Sequence, residues 1–411
     1  MLMQYAERMW QGKAGMEGFI NGEIPTGVAY EIADGVAVVP AFANVTVLRT
    51  DNGLVLFDTG AQNTAESNYQ AIRKWCPDPV RYAVYSHGHI DHVCGLGPFD
   101  AEAERNGAER PVVIAHEAVK ARFERYVLTA DYNRAVNARQ FGNPKFRWPQ
   151  DFRYPEITYR DEHRLRVGEL TFELRHARGE TDDHTWAYVP ERDLILAGDL
   201  FIWHSPNCGN PQKVQRYAAE WATALRAMAE LDASLLIPGH GAPIAGRERV
   251  RTALTDVAEY LESLVSQTLA LMNRGARLDE IIHVVHVPER LAAKPYLRAA
   301  YDEPEFIVRN IWRLYGGWWD GDPAALKPPR PDRLASVLAE LAGGPHNLAA
   351  RACRALDDAE PRIAARLIEL AHQAAPDDKD IKDTHRQIFT ALAQSATSLM
   401  TRGIYLAAAQ S

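Results

Sequence analysis

The sequence predicts an α/β domain, with strands and helices alternating around a layered core, followed by an all-α domain. Three observations carry this. Up to His240, short β-branched runs alternate with stretches of helical periodicity. Beyond His240 the strand patterns largely disappear and helix follows helix. The chain has 411 residues, more than the roughly 100 to 200 that one domain usually takes.

Strands are expected at residues 36–39, 45–48 and 54–57, with Asp51-Asn52-Gly53 as the hairpin between the last two. A helix at 65–75 leads to a strand at 82–85 that ends on Ser86-His87, and further strands follow at 111–115, 170–174, 185–189, 194–197 and 234–237. The polar clusters of interest stand just past strand ends. From 247 to 272 the residues Val250, Leu254, Val257, Leu261, Leu264 and Leu269 recur at helical spacing. Helices at 304–315, 331–341, 347–356, 361–374 and 379–396 are separated by Gly316-Gly317, Gly343-Gly344-Pro345 and Ala375-Pro376-Asp377. This places the α/β domain at 1–250 and the helical domain at 251–411.

Hydrophobic residues make up 46% and charged residues 24%, which excludes disorder for the chain as a whole. A net charge of -8 gives no global field for nucleic acid or an anionic membrane. Cys76, Cys94, Cys208 and Cys353 show no C-x-x-C pairing, so neither a structural zinc knot nor a disulfide framework is expected. With charged residues breaking up the first 20 positions and no apolar run of membrane-spanning length, a cytoplasmic protein is expected.

The strongest chemical signal is Ser86-His87-Gly88-His89-Ile90-Asp91-His92. Imidazole nitrogen and carboxylate oxygen are preferred zinc ligands, and so dense a turn can serve two ions at once. In an extended segment His87 and His89 share one face, while the turn lets Asp91 and His92 reach a second centre.

This H-x-H-x-D-H run resembles that of the metallo-β-lactamase superfamily. Asp58-Thr59-Gly60, Leu196-Ala197-Gly198-Asp199 and Ile237-Pro238-Gly239-His240-Gly241 resemble its other motifs. In Arg178-Gly179-Glu180-Thr181-Asp182-Asp183-His184, Glu180 stands where most members place a histidine, a mark of the alkyl sulfatase branch. Segments 272–280, 315–323 and 402–406 resemble that branch's dimerisation domain. The resemblance implies an αβ/βα sandwich followed by a helical dimerisation domain, and a homodimer through the latter.

It also implies one metal held by His87, His89 and Glu180, another by Asp91, His92 and His240, and Asp199 bridging them. Asp91, Asp199 and His184 are then the catalytic candidates, with His184 read either as a hydrogen-bond donor to a reacting oxygen or ligand carboxylate, or as a packed histidine beside Trp186. Two zinc ions per chain are expected, with manganese and iron as alternatives; paired dications bring the pKa of a shared water toward neutrality. The substrate is expected to be a small anionic ester, with an alkyl or aryl sulfate as the first choice. The family's sulfate-holding arginine is not in place between Asn207 and Arg216, and Arg139 stands about where its tyrosine would be. Arg139, Asn207 and Lys213 are the candidate substrate contacts. A carboxylic ester, lactone or phosphorus ester is the alternative substrate, and a redox di-iron protein the alternative class. The chain leaves no length for the sterol-carrier-like domain of well-known branch members, which leads to an expectation of a smaller substrate than a detergent.

Overall fold

The computed structural model describes residues 1–410 and divides into two compact units. The first comprises Met1–Ala130, Pro149–Arg274 and Ile281–Tyr315; the second comprises Asp131–Trp148, Gly275–Glu280 and Gly316 onward.

The first unit holds two mixed sheets. One contains β1 (Tyr30–Ala33), β2 (Val36–Val39), β3 (Val45–Thr50), β4 (Gly53–Phe57), β5 (Val80–Val84), β6 (Val112–His116) and β7 (Ile157–Tyr159) in spatial order from β1 to β7. It runs antiparallel from β1 to β4 and parallel from β4 to β7. The other contains β8 (Glu162–Val167), β9 (Leu170–His176), β10 (Thr185–Val189), β11 (Leu194–Ile202), β12 (Leu235–His240) and β13 (Ile244–Ala245), consecutive strands lying side by side. Only β11 and β12 in it are parallel. Thr50 pairs with Gly53, so Asp51-Asn52 is the hairpin loop expected from the sequence.

Strands β2, β4 and β11 are buried at every position, which explains their unbroken apolar runs. Each parallel pair needs a crossover. The helix Ala65–Trp75 joins β4 to β5, Gly97–Arg105 joins β5 to β6, and Ala218–Glu230 joins β11 to β12. The loops past the carboxyl ends of these strands are where open α/β sheets place their ligands, and the histidine-rich turn follows β5 there.

The helix Arg247–Met272 packs on Ala218–Glu230, burying Val250, Leu254, Val257, Leu261 and Leu264. The first unit therefore continues past residue 250 to Tyr315, a later division than 1–250 and 251–411, because this helix covers the second sheet's crossover instead of opening a new core. In the second unit, Ala335, Leu348, Ala352, Ala364, Ile368, Ile381 and Ile388 form the core of a helical array. Its helices begin as the sequence signals: Pro331, Pro345 and Pro361 stand in first turns, and the Asp378 carboxylate caps the amides of Asp380 and Ile381. Among the described residues no helix is long and apolar enough to cross a membrane.

Candidate metal centre

The site is built on Asp58, just past β4, which takes a left-handed backbone at φ 60°. Such a conformation costs a non-glycine residue of order 1–3 kcal/mol, and here it aims the carboxylate inward. Asp58 Oδ1 accepts the amide of Ser86 at 2.7 Å, while Oδ2 accepts the Ser86 hydroxyl at 2.7 Å and His92 Nδ1 at 2.8 Å. The Ser86 hydroxyl, having given its proton to Asp58, accepts His87 Nδ1–H at 2.9 Å. His240 Nδ1 donates to the Phe42 carbonyl at 2.5 Å. Three imidazoles thus spend their Nδ1–H on acceptors and turn a bare Nε2 toward the centre.

What those nitrogens face is carboxylate. His92 Nε2 lies 3.3 Å from Asp199 Oδ1 and 3.6 Å from Asp91 Oδ2; His240 Nε2 lies 3.3 Å from Asp199 Oδ2 and 3.6 Å from Asp91 Oδ2. His87 Nε2 lies 3.7 Å from Asp199 Oδ2, 3.9 Å from Glu180 Oε2 and 2.7 Å from His89 Nδ1. Two donor groups result: His87, His89, Glu180 and Asp199, and Asp91, His92 and His240. The buried atoms His92 Nε2, Glu180 Oε2 and Asp199 Oδ1 have no hydrogen-bond partner. Lone pairs of nitrogen and oxygen converging on one space repel unless a cation lies between them, so this donor set fits divalent metal. The protein's own charges say the same. Burial alone would lower the pKa of His240, but Asp199 and Asp91 outweigh it and raise it to about 9. Burial, reinforced by Asp199 against the pull of Arg216, pushes Glu180 up to about 8.

Two buried arginines fix the surroundings. Arg122 Nε donates to Asp183 Oδ2 at 2.6 Å, and its Nη2 donates to Asp182. Asp183 Oδ2 also accepts the Gly88 amide at 3.1 Å, so this pair holds the turn between His87 and His89. Arg216 Nη1 donates to Glu180 Oε1 at 2.6 Å and to the Asn207 carbonyl, and Asn207 Nδ2 donates to the same Oε1 at 2.5 Å. Glu180 thereby spends one oxygen on the protein and keeps the other for the centre.

All seven residues expected as metal ligands converge. His184 is brought in beside them, stacked 4.9 Å from His87, and its Nε2 accepts the Asp199 amide at 3.1 Å. Gly198 stands at φ 52° beneath it, and a Cβ there would come within 2.7 Å of the His184 ring. Asn207 has its amide committed to Glu180, so it acts on the ligand. Lys213 is half-buried; burial, then Arg216, lowers it to about 8 against the opposing charges of Asp91 and Glu180. Arg139 lies on the helix Ala130–Gln140, within the second unit. His116 and His176 stack on each other at 3.7 Å. Sequence reading passed over Ser86, Arg122, Asp183 and Arg216 as site residues.

The metallo-β-lactamase superfamily model matches residues 38–240, which spans every residue of both donor groups, and the alkyl sulfatase dimerisation model matches 277–411. The chain belongs to the metallo-β-lactamase superfamily, in its alkyl sulfatase-like branch. It is 26% identical over 387 residues to a linear primary-alkylsulfatase of Pseudomonas sp. (strain ATCC 19151), covering 88% of this chain and 72% of that protein. To an (R)-specific secondary-alkylsulfatase of Pseudomonas sp. it is 26% identical over 406 residues, covering 89% of this chain and 59% of the relative. A solved stereoselective inverting secondary alkylsulfatase from Pseudomonas sp. superposes with TM-score 0.83 at 24% identity, covering 93% of this chain and 65% of that one. The superfamily member thus spans roughly three fifths to three quarters of the length of these relatives, and the solved structure speaks for the shared fold.

Proposed function

We propose that the chain is a binuclear, zinc-dependent hydrolase of small sulfate esters, alkyl or aryl. The observation that carries this is the convergence of two donor groups whose bare nitrogens and unpartnered carboxylate oxygens face one space. His87, His89 and Glu180 would hold one ion, Asp91, His92 and His240 the other, with Asp199 between them. Ions held there would supply Lewis acidity toward the ester oxygen and bring the pKa of water toward neutrality. The remaining work belongs to the chain. Asp58 and Ser86 fix the tautomers of His92 and His87, and His184 fixes the backbone of Asp199. Lys213, whose charge is felt by Asp91 and Glu180, would contribute positive potential toward an anionic ester. The names of the alkylsulfatase relatives support sulfate as the anion.

One observation favours a second substrate class. Arg216, a buried arginine of this region, gives its Nη1 to Glu180 and to the Asn207 carbonyl, so its guanidinium is oriented by a ligand carboxylate instead of being set to clamp a sulfate. A carboxylic ester, lactone or phosphorus ester is the reading that this supports.

Turnover of a panel of sulfate, phosphate and carboxylate esters and lactones separates the two. Release of sulfate from an alkyl or aryl sulfate is expected, and K213M should raise KM for it about tenfold or more, the worth of one hydrogen bond to a charged group. No sulfate release from any panel member would end the sulfatase reading. The dimerisation match supports a homodimer, for which light scattering should give twice the chain mass of 45.9 kDa; a monomer would contradict it.

A further inference from the structure

Glu180 is supported on its Oε1 by two donors, Asn207 and Arg216. Asn207 and Arg216, which hold Glu180 Oε1, belong to the segment between β11 and the helix Ala218–Glu230, and this segment has little regular structure of its own. It is fastened instead to residues 298–313, beyond the end of the metallo-β-lactamase match at residue 240. The Ser205 amide donates to the Arg298 carbonyl at 3.0 Å and its hydroxyl to the Asp302 carbonyl at 2.9 Å. The Gly209 amide donates to Asp302 Oδ2 at 2.5 Å. Gly209 sits so close to the start of the helix Pro304–Gly316 that a Cβ would fall 2.2 Å from backbone atoms of Phe306 and Ile307, which cannot yield.

At the other end, Asn310 grips Arg216 by its main chain: Oδ1 accepts the Arg216 amide at 3.4 Å, and Nδ2 donates to the Arg216 carbonyl at 2.9 Å. Asn310 Oδ1 also accepts Gln215 Nε2 and Arg313 Nη2, each at 3.0 Å. Asp302, Asn310 and Arg216 are all buried, so these bonds are not shared with water.

We propose that Arg216 is a positioning residue that fixes Glu180 as a one-oxygen ligand, and that Asn310 and Asp302 of the following segment hold Arg216 and Asn207 in place for it. The exchange of a histidine for Glu180 and the chain beyond the sandwich then form one device. An imidazole is locked by a single bond from its second nitrogen, as His92 is by Asp58. A carboxylate has a second oxygen, and donors placed on it orient the group and disfavour two-point binding to the ion. Arg216 and Asn207 occupy it.

This rests on the reading of Glu180 as a metal ligand, and the test reads metal, not turnover. Full-length chain stripped with a chelator is titrated with zinc against a chromophoric competitor. The parent is expected to take up two ions. R216M should weaken one of them by about ten- to a hundredfold, the range seen when the outer partner of a ligand is lost, and leave the other unchanged. N310A, which touches no ligand and leaves Arg216 its charge, should weaken the same ion by less. In an E180H background the Arg216 substitution should have no further effect on that ion, since the carboxylate it serves is gone. N310A and R216M both binding two ions with parental affinity would overturn the proposal, as would equal weakening of both ions. A parent that takes up no divalent ion would overturn the metal-centre reading itself and the proposal with it.

Discussion

Replacing Asp199 with alanine is expected to lower turnover by far more than a hundredfold and to reduce the metal content of the purified chain. Losing an outer partner of a ligand costs about ten- to a hundredfold, and Asp199 stands closer to the chemistry than that. Its two oxygens divide their attention: Oδ1 lies 3.3 Å from His92 and Oδ2 3.3 Å from His240 and 3.7 Å from His87. One carboxylate therefore neighbours imidazoles from both donor groups. Without it, His87, His92 and His240 lose the one carboxylate they share, Asp91 and Glu180 are left to serve one donor group each, and the affinity for both ions falls together. Metal analysis and turnover of D199A measured side by side check this, with circular dichroism to show that the fold remains. A D199A chain that keeps two ions and full activity would remove Asp199 from the centre.

The second large effect is on stability. R122M is expected to destabilise the protein by about 3–5 kcal/mol in chemical denaturation, the usual cost of removing one partner of a buried ion pair. Arg122 and Asp183 have side chains only 2% and 0% exposed, and Asp183 would be left as a buried carboxylate with the Gly88 amide as its remaining partner among these bonds. Removing both charges, as R122M with D183L, should recover only part of the loss, because the Gly88 amide is then orphaned in turn. A shift below about 1 kcal/mol for R122M would show that the pair contributes little. The consequence for the site is local: the Arg122 and Asp183 pair sets the turn on which His87 and His89 stand.

The run from His87 to His92 was legible from its own spacing past a strand, while Glu180, Asp199 and His240 were read through the resemblance of their short motifs to those of the family. His87 to His92 lie within one turn, Asp199 lies inside β11, which runs on to Ile202, and His240 ends β12. The supports of those ligands were not legible, since they act across the chain. Arg216 meets Glu180 36 residues away and is itself held by Asn310, 94 residues on, and nothing in the composition of either segment announces the pairing. The same holds for the fold. Strands buried on both faces were read from their Val and Leu runs, whereas β8, whose residues Glu162–Val167 alternate between exposed and covered positions and carry two arginines, gives no such signal. The end of the first unit at Tyr315 depends on where the helices Arg247–Met272 and Pro304–Gly316 pack, a matter of tertiary contact that helical periodicity does not record.

The two sheets each bring an incomplete share of donors. His87, His89, Asp91 and His92 come from the turn beyond β5 of the first, and Glu180, Asp199 and His240 from the second, in the loop before β10, inside β11 and at the end of β12, so each donor group draws on both. An ion bound there would work as a rivet between halves of the molecule that are remote along the chain. Occupancy of the centre and the docking of one sheet on the other then become a single equilibrium: a chain that has not closed its sandwich has no site to fill, and a filled site resists opening in proportion to the free ion concentration.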